Sequence, residues 1–140
     1  MLKYHVVSKK SPVDQSVKFY ARLAPVTPIN LKNLAEPISE ACTVTIHDVK
    51  AVISALESQI VRELRNGNSV RLGDLGSFRP TLSSKGAATA EDFTAGHIKS
   101  VNVRFYSSPN MRFELSKANP SVVFQNEGEI VKVDEENTEA

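Results

Sequence analysis

The residues from Val70 to Arg79, Val-Arg-Leu-Gly-Asp-Leu-Gly-Ser-Phe-Arg, constrain the fold more than any other part of this chain. They follow a long amphipathic segment that stops at an Asn-Gly-Asn sequence, residues 66–68, as helices commonly do. Two short alternating segments flank Gly73 and Gly76, and glycine readily takes the backbone conformations of a tight corner. The Gly-x-x-Gly spacing lacks the Gly-Lys-Ser/Thr of a phosphate-binding loop. The sequence therefore predicts a helix that leads into a β-hairpin with a glycine-shaped corner.

Two amphipathic helices are predicted before this hairpin. Thr27 and Pro28 offer a capping hydroxyl and a proline at the first helical position, and Pro37 predicts a kink or a division in that first helix. The second helix opens at Thr45, with Asp48 placed to complete a capping box. The apolar stripe of the second helix is too broad for the short first helix to cover, so we expect a dimer that covers it. The stripes are Leu31, Leu34, Ala35, Ile38 and Cys42 in the first helix, and Val49, Val52, Ile53, Leu56, Ile60 and Leu64 in the second.

Alternating residues predict the strands of the chain. Val101, Val103 and Phe105 alternate with polar residues, a period of two that places them on the inner face of a strand. Ser108 and Pro109 predict the start of a short helix that includes residues 111–117. Small and polar residues predict an exposed loop or arm at 83–96. Further strands are predicted at 4–10, 17–22 and 121–125, with the N-terminal and C-terminal strands paired in an accessory sheet.

Charge is distributed unevenly along the chain, although the net charge is only +1. Residues 1–26 carry five basic side chains and one acidic side chain, and residues 119–140 carry one basic and six acidic side chains. The acidic end, residues 127–140, is therefore predicted to be a flexible tail. No apolar run approaches the roughly 20 residues that span a bilayer. The N-terminus does not resemble a secretory signal. The single cysteine, Cys42, cannot form an internal disulfide, which is typical of a cytoplasmic protein.

The order of predicted elements and three motifs resemble the HU/IHF family of bacterial histone-like DNA-binding proteins. The motifs are the helix start at Asp48, the corner that ends at Arg79, and Arg104-Phe-Tyr-Ser-Ser-Pro-Asn110. The resemblance implies an α+β fold with two N-terminal helices, a three-stranded antiparallel sheet with a protruding arm, and a short C-terminal helix. It also implies a longer HU-like variant with four regions: a basic strand-like extension at 1–26, an HU/IHF-like domain at 27–118, a C-terminal strand at 119–126 and the tail at 127–140.

The resemblance further implies a non-enzymatic, nucleoid-associated protein of the cytoplasm that condenses double-stranded DNA with low sequence specificity. Two copies, or one copy and a paralogue, would form a β-saddle whose basic side chains contact phosphates and the minor groove. No cofactor, metal, membrane or small-molecule substrate is expected. The predicted DNA-binding residues are Arg71, Arg79, Lys85, Lys99 and Arg104.

The predicted arm departs from the family pattern. Relatives typically carry an Arg-Asn-Pro tip whose proline wedges between base pairs, whereas this chain has Ala-Ala-Thr-Ala-Glu-Asp at 87–92. Glu91 and Asp92 would repel phosphates, and Thr81 and Ser83 stand where relatives often have basic residues. We therefore expect weaker DNA bending than is usual in the family.

Two other classes of function compete with DNA binding. The acidic arm tip and the near-neutral net charge favour an HU-like dimer repurposed as a protein-interaction module, with weak or no DNA binding. An enzyme lacks a clustered acid, base or nucleophile: Cys42 is predicted to be a buried thiol without an orienting partner for His47, and the three histidines lack zinc-ligand spacing. Phe93 is predicted to pack on the sheet, with base stacking as the alternative. Because outward basic residues are common on any strand, the resemblance carries most of the DNA-binding prediction.

Overall fold

The computed structural model of the chain describes residues 1–130 and divides into two compact units. The central unit is Ile29–Phe113, and the terminal unit joins Met1–Pro28 to the chain from Glu114 onward. Each unit contains one three-stranded sheet. The sheet of the central unit is called the hairpin sheet, and that of the terminal unit is called the terminal sheet.

The first helix of the central unit, α1, spans Leu31–Ala41. It starts after Asn30, whose side-chain oxygen accepts a hydrogen bond from the backbone N–H of Asn33 at 3.0 Å. The predicted start at Thr27 and Pro28 is therefore wrong, because asparagine caps a helix at least as well as threonine. One continuous helix runs through Pro37, so of the two predicted alternatives the division is wrong and the kink stays a prediction.

The predicted burial of Cys42 is wrong as well. This residue lies just past α1 as its C-cap, with an extended backbone, and its thiol is exposed. The apolar spacing of the sequence therefore extends one residue beyond Ala41, where the helix ends.

The second helix, α2, spans Ile46–Arg65 and opens with the predicted capping box. The Thr45 hydroxyl accepts a hydrogen bond from the Asp48 N–H, and the Asp48 carboxylate accepts one from the Thr45 N–H, each at 3.2 Å. The Thr45 hydroxyl, followed by its N–H, lowers the pKa of Asp48 below its usual value. Of the apolar stripe only Val49 is buried, while Val52 and Leu56 are 67% and 44% exposed. Residues of the same unit therefore leave much of the stripe uncovered, as the sequence predicted.

The hairpin sheet consists of β3 at Val70–Leu72, β4 at Gly76–Ser84 and β5 at Ile98–Ser107, in the antiparallel order β3-β4-β5. The glycine corner between β3 and β4 is confirmed, with φ angles of 49° at Gly73 and 154° at Gly76. A Cβ atom on Gly76 would overlap the carbonyl oxygen of Tyr106 and the Phe105 ring. Only glycine therefore fits where β4 begins.

A short helix, α3, follows β5 at Pro109–Glu114. It starts directly after Ser108 as the cap-plus-proline signal indicates, but the predicted extension to Lys117 is wrong. The chain turns from Ser116 to Asn119, and the Asn119 side-chain amide donates to the Glu114 carbonyl oxygen at 3.1 Å. This side chain satisfies the last helical carbonyl and replaces a further helical turn.

The terminal sheet consists of β1 at Leu2–Lys10, β2 at Val17–Leu23 and β6 at Phe124–Ile130, in the order β2-β1-β6. β2 pairs antiparallel with β1 and β6 pairs parallel with it, so the predicted N-terminal to C-terminal pairing is confirmed. The strand predicted at 121–125 corresponds to β6 at Phe124–Ile130, which begins and ends later than predicted. Residues 127–130 of the predicted flexible tail are part of β6, because β1 supplies the hydrogen-bonding partner. Residues 131–140 of that tail lie outside the described part of the chain.

Candidate nucleic-acid interface

The register of the hairpin sheet brings three of the five predicted DNA-binding residues to one face. Arg71 pairs with Ser77, Ser77 pairs with Tyr106, and Arg79 pairs with Arg104. Directly paired residues share a face, and every second residue along a strand returns to it. This polar face comprises Arg71, Ser77, Arg79, Thr81, Ser83, Ser100, Asn102, Arg104 and Tyr106. The opposite, apolar face comprises Val70, Leu72, Phe78, Pro80, Leu82, Val101, Val103 and Phe105.

Arg79 and Arg104 form the electrostatic centre of the polar face. Like charges directly opposite each other destabilise an antiparallel pair of strands. Neither arginine has an acidic partner, since the one ion pair within residues 1–130 joins Lys3 and Glu127. The guanidinium carbon of Arg79 lies 4.8 Å from the centre of the Tyr106 ring, a cation–π contact of about 0.5–1 kcal/mol at an exposed site. An anion bound between the two arginines would relieve their repulsion.

A cleft of about 610 Å³ adjoins this pair where the polar face meets the glycine corner and α3. Three arginines line it, Arg71, Arg79 and Arg112, together with Asp74. The Ser108 hydroxyl fixes the cleft wall, because it donates to the Asp74 carbonyl oxygen and accepts a hydrogen bond from the Met111 N–H at 3.0 Å. Sequence analysis missed Arg112; the signal that could have found it is the Ser-Pro start of α3, which places this residue beside the corner.

The two predicted lysines lie elsewhere in the hairpin. The backbone N–H of Lys85 donates to the His97 carbonyl oxygen at 2.8 Å, just beyond the end of β4. Lys99 lies at a break in register next to the same end of β5. Both side chains are exposed, but they are at the far end of the hairpin from the arginine pair. The structure therefore does not gather all five predicted residues into one cluster.

The loop between β4 and β5 packs on its own base. The rings of Phe93 and His97 stack with their centres 5.1 Å apart and an angle of 25° between their planes. The Thr94 N–H donates to Nδ1 of His97 at 3.1 Å, within a short turn of 3₁₀-helix at Ala95–His97. The contact is with a residue of the loop, and Phe93 is 42% exposed, so its predicted packing on the sheet, with base stacking as the alternative, stays a prediction. Glu91 and Asp92 are exposed in the same loop.

Residues 1–130 contain neither a candidate metal site nor a candidate membrane span. In this part of the chain, no three His, Cys, Asp or Glu side chains come close enough together to hold a metal ion. None of the helices described there is both long and apolar enough to cross a membrane.

Comparison with known proteins identifies the family. The profile of HU-HIG, described as an HU domain fused to wHTH, Ig, or glycine-rich motif, matches residues 1–121. The chain belongs to the HU-HIG family. The resemblance to HU proteins is thereby confirmed. No curated protein matches the chain.

Two solved structures resemble this HU-HIG chain. A protein from Bacteroides vulgatus ATCC 8482, named as a candidate bacterial DNA-binding protein, is 18% identical over 92% of this chain and 49% of its own, with a TM-score of 0.63. The HU protein of an Anabaena HU–DNA cocrystal structure is 18% identical over 64% of this chain and 99% of its own, with a TM-score of 0.51. The predicted α+β, HU-like fold is therefore confirmed. The chain spans about half the length of the Bacteroides protein.

Proposed function

We propose that this HU-HIG protein binds double-stranded DNA through the polar face of its hairpin sheet, without enzymatic activity. The cross-strand pair of Arg79 and Arg104, which has no acidic partner within residues 1–130, carries the proposal. Each phosphate that such a side chain neutralises releases counterions, so the affinity falls as salt rises. Phosphate contacts fix position and do not read bases, so sequence specificity is low. The cocrystal of the Anabaena HU relative with DNA supports the choice of partner.

The proposal includes a homodimer in which two polar faces form one saddle that contacts phosphates and the minor groove. Its support is the apolar face, where Val101, Val103 and Phe105 are 65%, 53% and 47% exposed. Val61 of α2, which is 53% exposed, lines a cleft with Val101 and Val103, and large exposed apolar patches mark interaction sites. A nucleoid-associated role in the cytoplasm, with DNA condensation, follows from this mode of binding as part of the same proposal.

Reversal of the charges on the arginine pair tests the proposal. Fluorescence polarisation of a labelled mixed-sequence duplex, at low and at physiological salt, measures the affinity of the full chain. Arg79→Glu combined with Arg104→Glu is expected to weaken binding by about 100-fold or more, because two phosphate contacts become repulsive. Lys32→Glu combined with Lys50→Glu is the matched control, since it changes net charge equally on α1 and α2. Absence of binding at low salt, or equal affinity of the two variants, would contradict the proposal.

The loop between β4 and β5 predicts weak bending of the bound DNA. It carries Glu91 and Asp92 and has no proline between Lys85 and Thr94 that could wedge between base pairs. Energy transfer between dyes at the two ends of a duplex is expected to rise little when the protein binds. A sharp kink, seen as a large rise in transfer at saturating protein, would show that the chain bends DNA without such a wedge.

A second candidate function is a protein-interaction module built on the same dimer. The exposed carboxylates of Glu91 and Asp92, in the loop that the resemblance expects to be basic, favour it. This candidate predicts a stable dimer that does not bind duplex DNA even at low salt. The polarisation experiment therefore separates the two candidates.

A further inference from the structure

The terminal sheet carries a second cationic face. Its register pairs His5 with Arg22, Val7 with Tyr20, and Lys9 with Lys18. Because paired residues share a face and alternate residues return to it, the side chains of β1 and β2 separate into two sets. The first set, called the terminal cationic face, comprises Lys3, His5, Val7, Lys9, Lys18, Tyr20 and Arg22.

The opposite side of the terminal sheet is mostly apolar, with Lys10 as the one cation that β1 and β2 place there. A cleft of about 490 Å³ on that side is lined by Leu2, Tyr4, Ala21, Leu23 and Phe124, together with Lys117. Sorting of apolar residues to one side and cations to the other is typical of a sheet with one face in water. Lys9, Lys18 and Arg22 are all exposed. Val7 on the same face is buried, but these exposed cations make the terminal cationic face the side of this sheet that is suited to a charged partner.

Among the described residues of the same unit, acidic groups balance the charge of this face only partly. Glu127 forms an ion pair with Lys3 at 3.5 Å. Asp14 lies in the β1–β2 turn, where the Ser11 hydroxyl and then Ser16 lower its pKa, and its carboxylate accepts a hydrogen bond from the Ser16 hydroxyl at 2.8 Å.

Three cations of the face, Lys9, Lys18 and Arg22, have no ion pair within residues 1–130. Two of them, Lys9 and Lys18, are directly opposed, an unfavourable arrangement, and Asp14 is the one acidic residue in the described part of the chain that lines a cleft with both of them. The face thus repeats the electrostatic feature that carries the proposed function of the hairpin sheet.

We propose that the terminal cationic face is a second binding surface for the phosphate backbone of duplex DNA, an inference that rests on DNA being the partner of this chain. From Lys3 to Lys9 the strand rises about 20 Å, and a duplex of that length carries on the order of 12 negative charges. Several phosphates therefore lie within reach of the face. Lysines are flexible, hydrated point charges, so the face adds affinity and salt dependence but no sequence specificity.

Charge removal from this face tests the inference in the full chain. The variant carries Lys9→Gln, Lys18→Gln and Arg22→Gln. The matched control removes two lysines and one arginine from the helices by Lys32→Gln, Lys50→Gln and Arg62→Gln. Fluorescence polarisation with the mixed-sequence duplex over a range of salt concentrations gives both the affinity and the slope of log K against log salt.

The variant is expected to bind about 10-fold more weakly or worse, with a slope shallower by about 2–3, because each lost phosphate contact removes about 0.9 from the slope. The control is expected to match the wild type. Lys9→Arg combined with Lys18→Arg is expected to keep the wild-type slope, which separates loss of charge from loss of fold. Circular dichroism of each variant checks that the fold is retained.

Equal affinity and slope for the variant and the control would overturn the inference, whatever other partner the face has. If that happens while Arg79→Glu with Arg104→Glu abolishes binding, the proposed function stands and only the second surface fails. If the wild type does not bind the duplex at low salt, both proposals fail together.

Discussion

The two sheets of this protein present similar charge patterns with different residues. The polar face of the hairpin sheet pairs Arg79 directly with Arg104, and the terminal cationic face pairs Lys9 directly with Lys18. Arginine offers a rigid planar fork that can hold a phosphate by two hydrogen bonds, whereas lysine offers a mobile point charge. Under the two proposals, this difference gives the hairpin sheet the role of fixing the position of the DNA and the terminal sheet the role of adding attraction.

Each sheet also has one mostly apolar side, and in the proposed dimer the apolar side of the hairpin sheet forms the interface between the two copies. Val101 and Val103 line a shallow cleft with Val61 and Leu64 of α2, and both valines remain more than half exposed. In the proposed dimer, a second copy covers this surface and leaves the polar face of each copy free for DNA. The comparison between the sheets therefore depends first on whether the hairpin sheet assembles a dimer.

The largest expected effect comes from charges placed on the apolar face. Val101→Asp combined with Val103→Asp would bury two carboxylates at the interface, at a cost of several kcal/mol, and is expected to abolish the dimer. Sedimentation equilibrium is expected to give the wild type about twice the 15.3 kDa mass of one chain, and the variant 15.3 kDa. Asn102→Asp, on the opposite face of the same strand, is the control and should stay dimeric. A wild type with the mass of one chain at all concentrations would contradict the saddle.

A smaller effect distinguishes the two kinds of cation. Arg79→Lys combined with Arg104→Lys keeps the charge but removes the planar fork, and is expected to weaken duplex binding by on the order of 10-fold. Lys9→Arg combined with Lys18→Arg is expected to leave affinity within about 2-fold of the wild type, because a mobile point charge is replaced by another cation. Polarisation titrations at one salt concentration compare the two. Equal losses from both exchanges would show that the sheets contact DNA in the same way.

The smallest expected effect concerns the acidic end of the chain. Removal of residues 131–140 is expected to tighten duplex binding a few-fold, because the carboxylates there compete with phosphates for the cationic faces. The truncation has to begin after Ile130, since β6 extends to that residue. Substitution of Glu135, Glu136 and Glu139 by glutamine raises the net charge by three, as the truncation does, and should reproduce the gain. Unchanged or weaker binding would rule out this competition.

Local signals in the sequence predict some elements of this fold correctly. The capping box of Thr45 and Asp48 and the corner at Gly73 and Gly76 depend on residues three positions apart, so their chemistry can be read directly from the sequence. The start of α1 cannot be read from a local signal in the same way. Thr27 and Asn30 are both good caps three residues apart, and only the folded chain selects Asn30.

Other features depend on contacts between distant residues and could not be read from the sequence. The residues 127–130, Glu-Gly-Glu-Ile, have the composition of a tail and form a strand only because β1 offers an edge for parallel pairing. Arg112 joins Arg71 in one cleft only where α3 meets the glycine corner. The direct pairing of Arg79 with Arg104 likewise depends on the register between β4 and β5, which the alternation of either strand alone does not fix.

Site-specific photo-cross-linking to duplex DNA tests the central claim most directly, because adjacent positions on a strand point to opposite faces. A photoreactive side chain introduced at Thr81 or Asn102, on the polar face, is expected to cross-link to the DNA. The same side chain at Leu82 or Val101, on the apolar face, is expected not to. Cross-linking that alternates with a period of two along β4 and β5 would agree with DNA bound on the polar face. Equal cross-linking from both faces, or cross-linking from the apolar face alone, would contradict it.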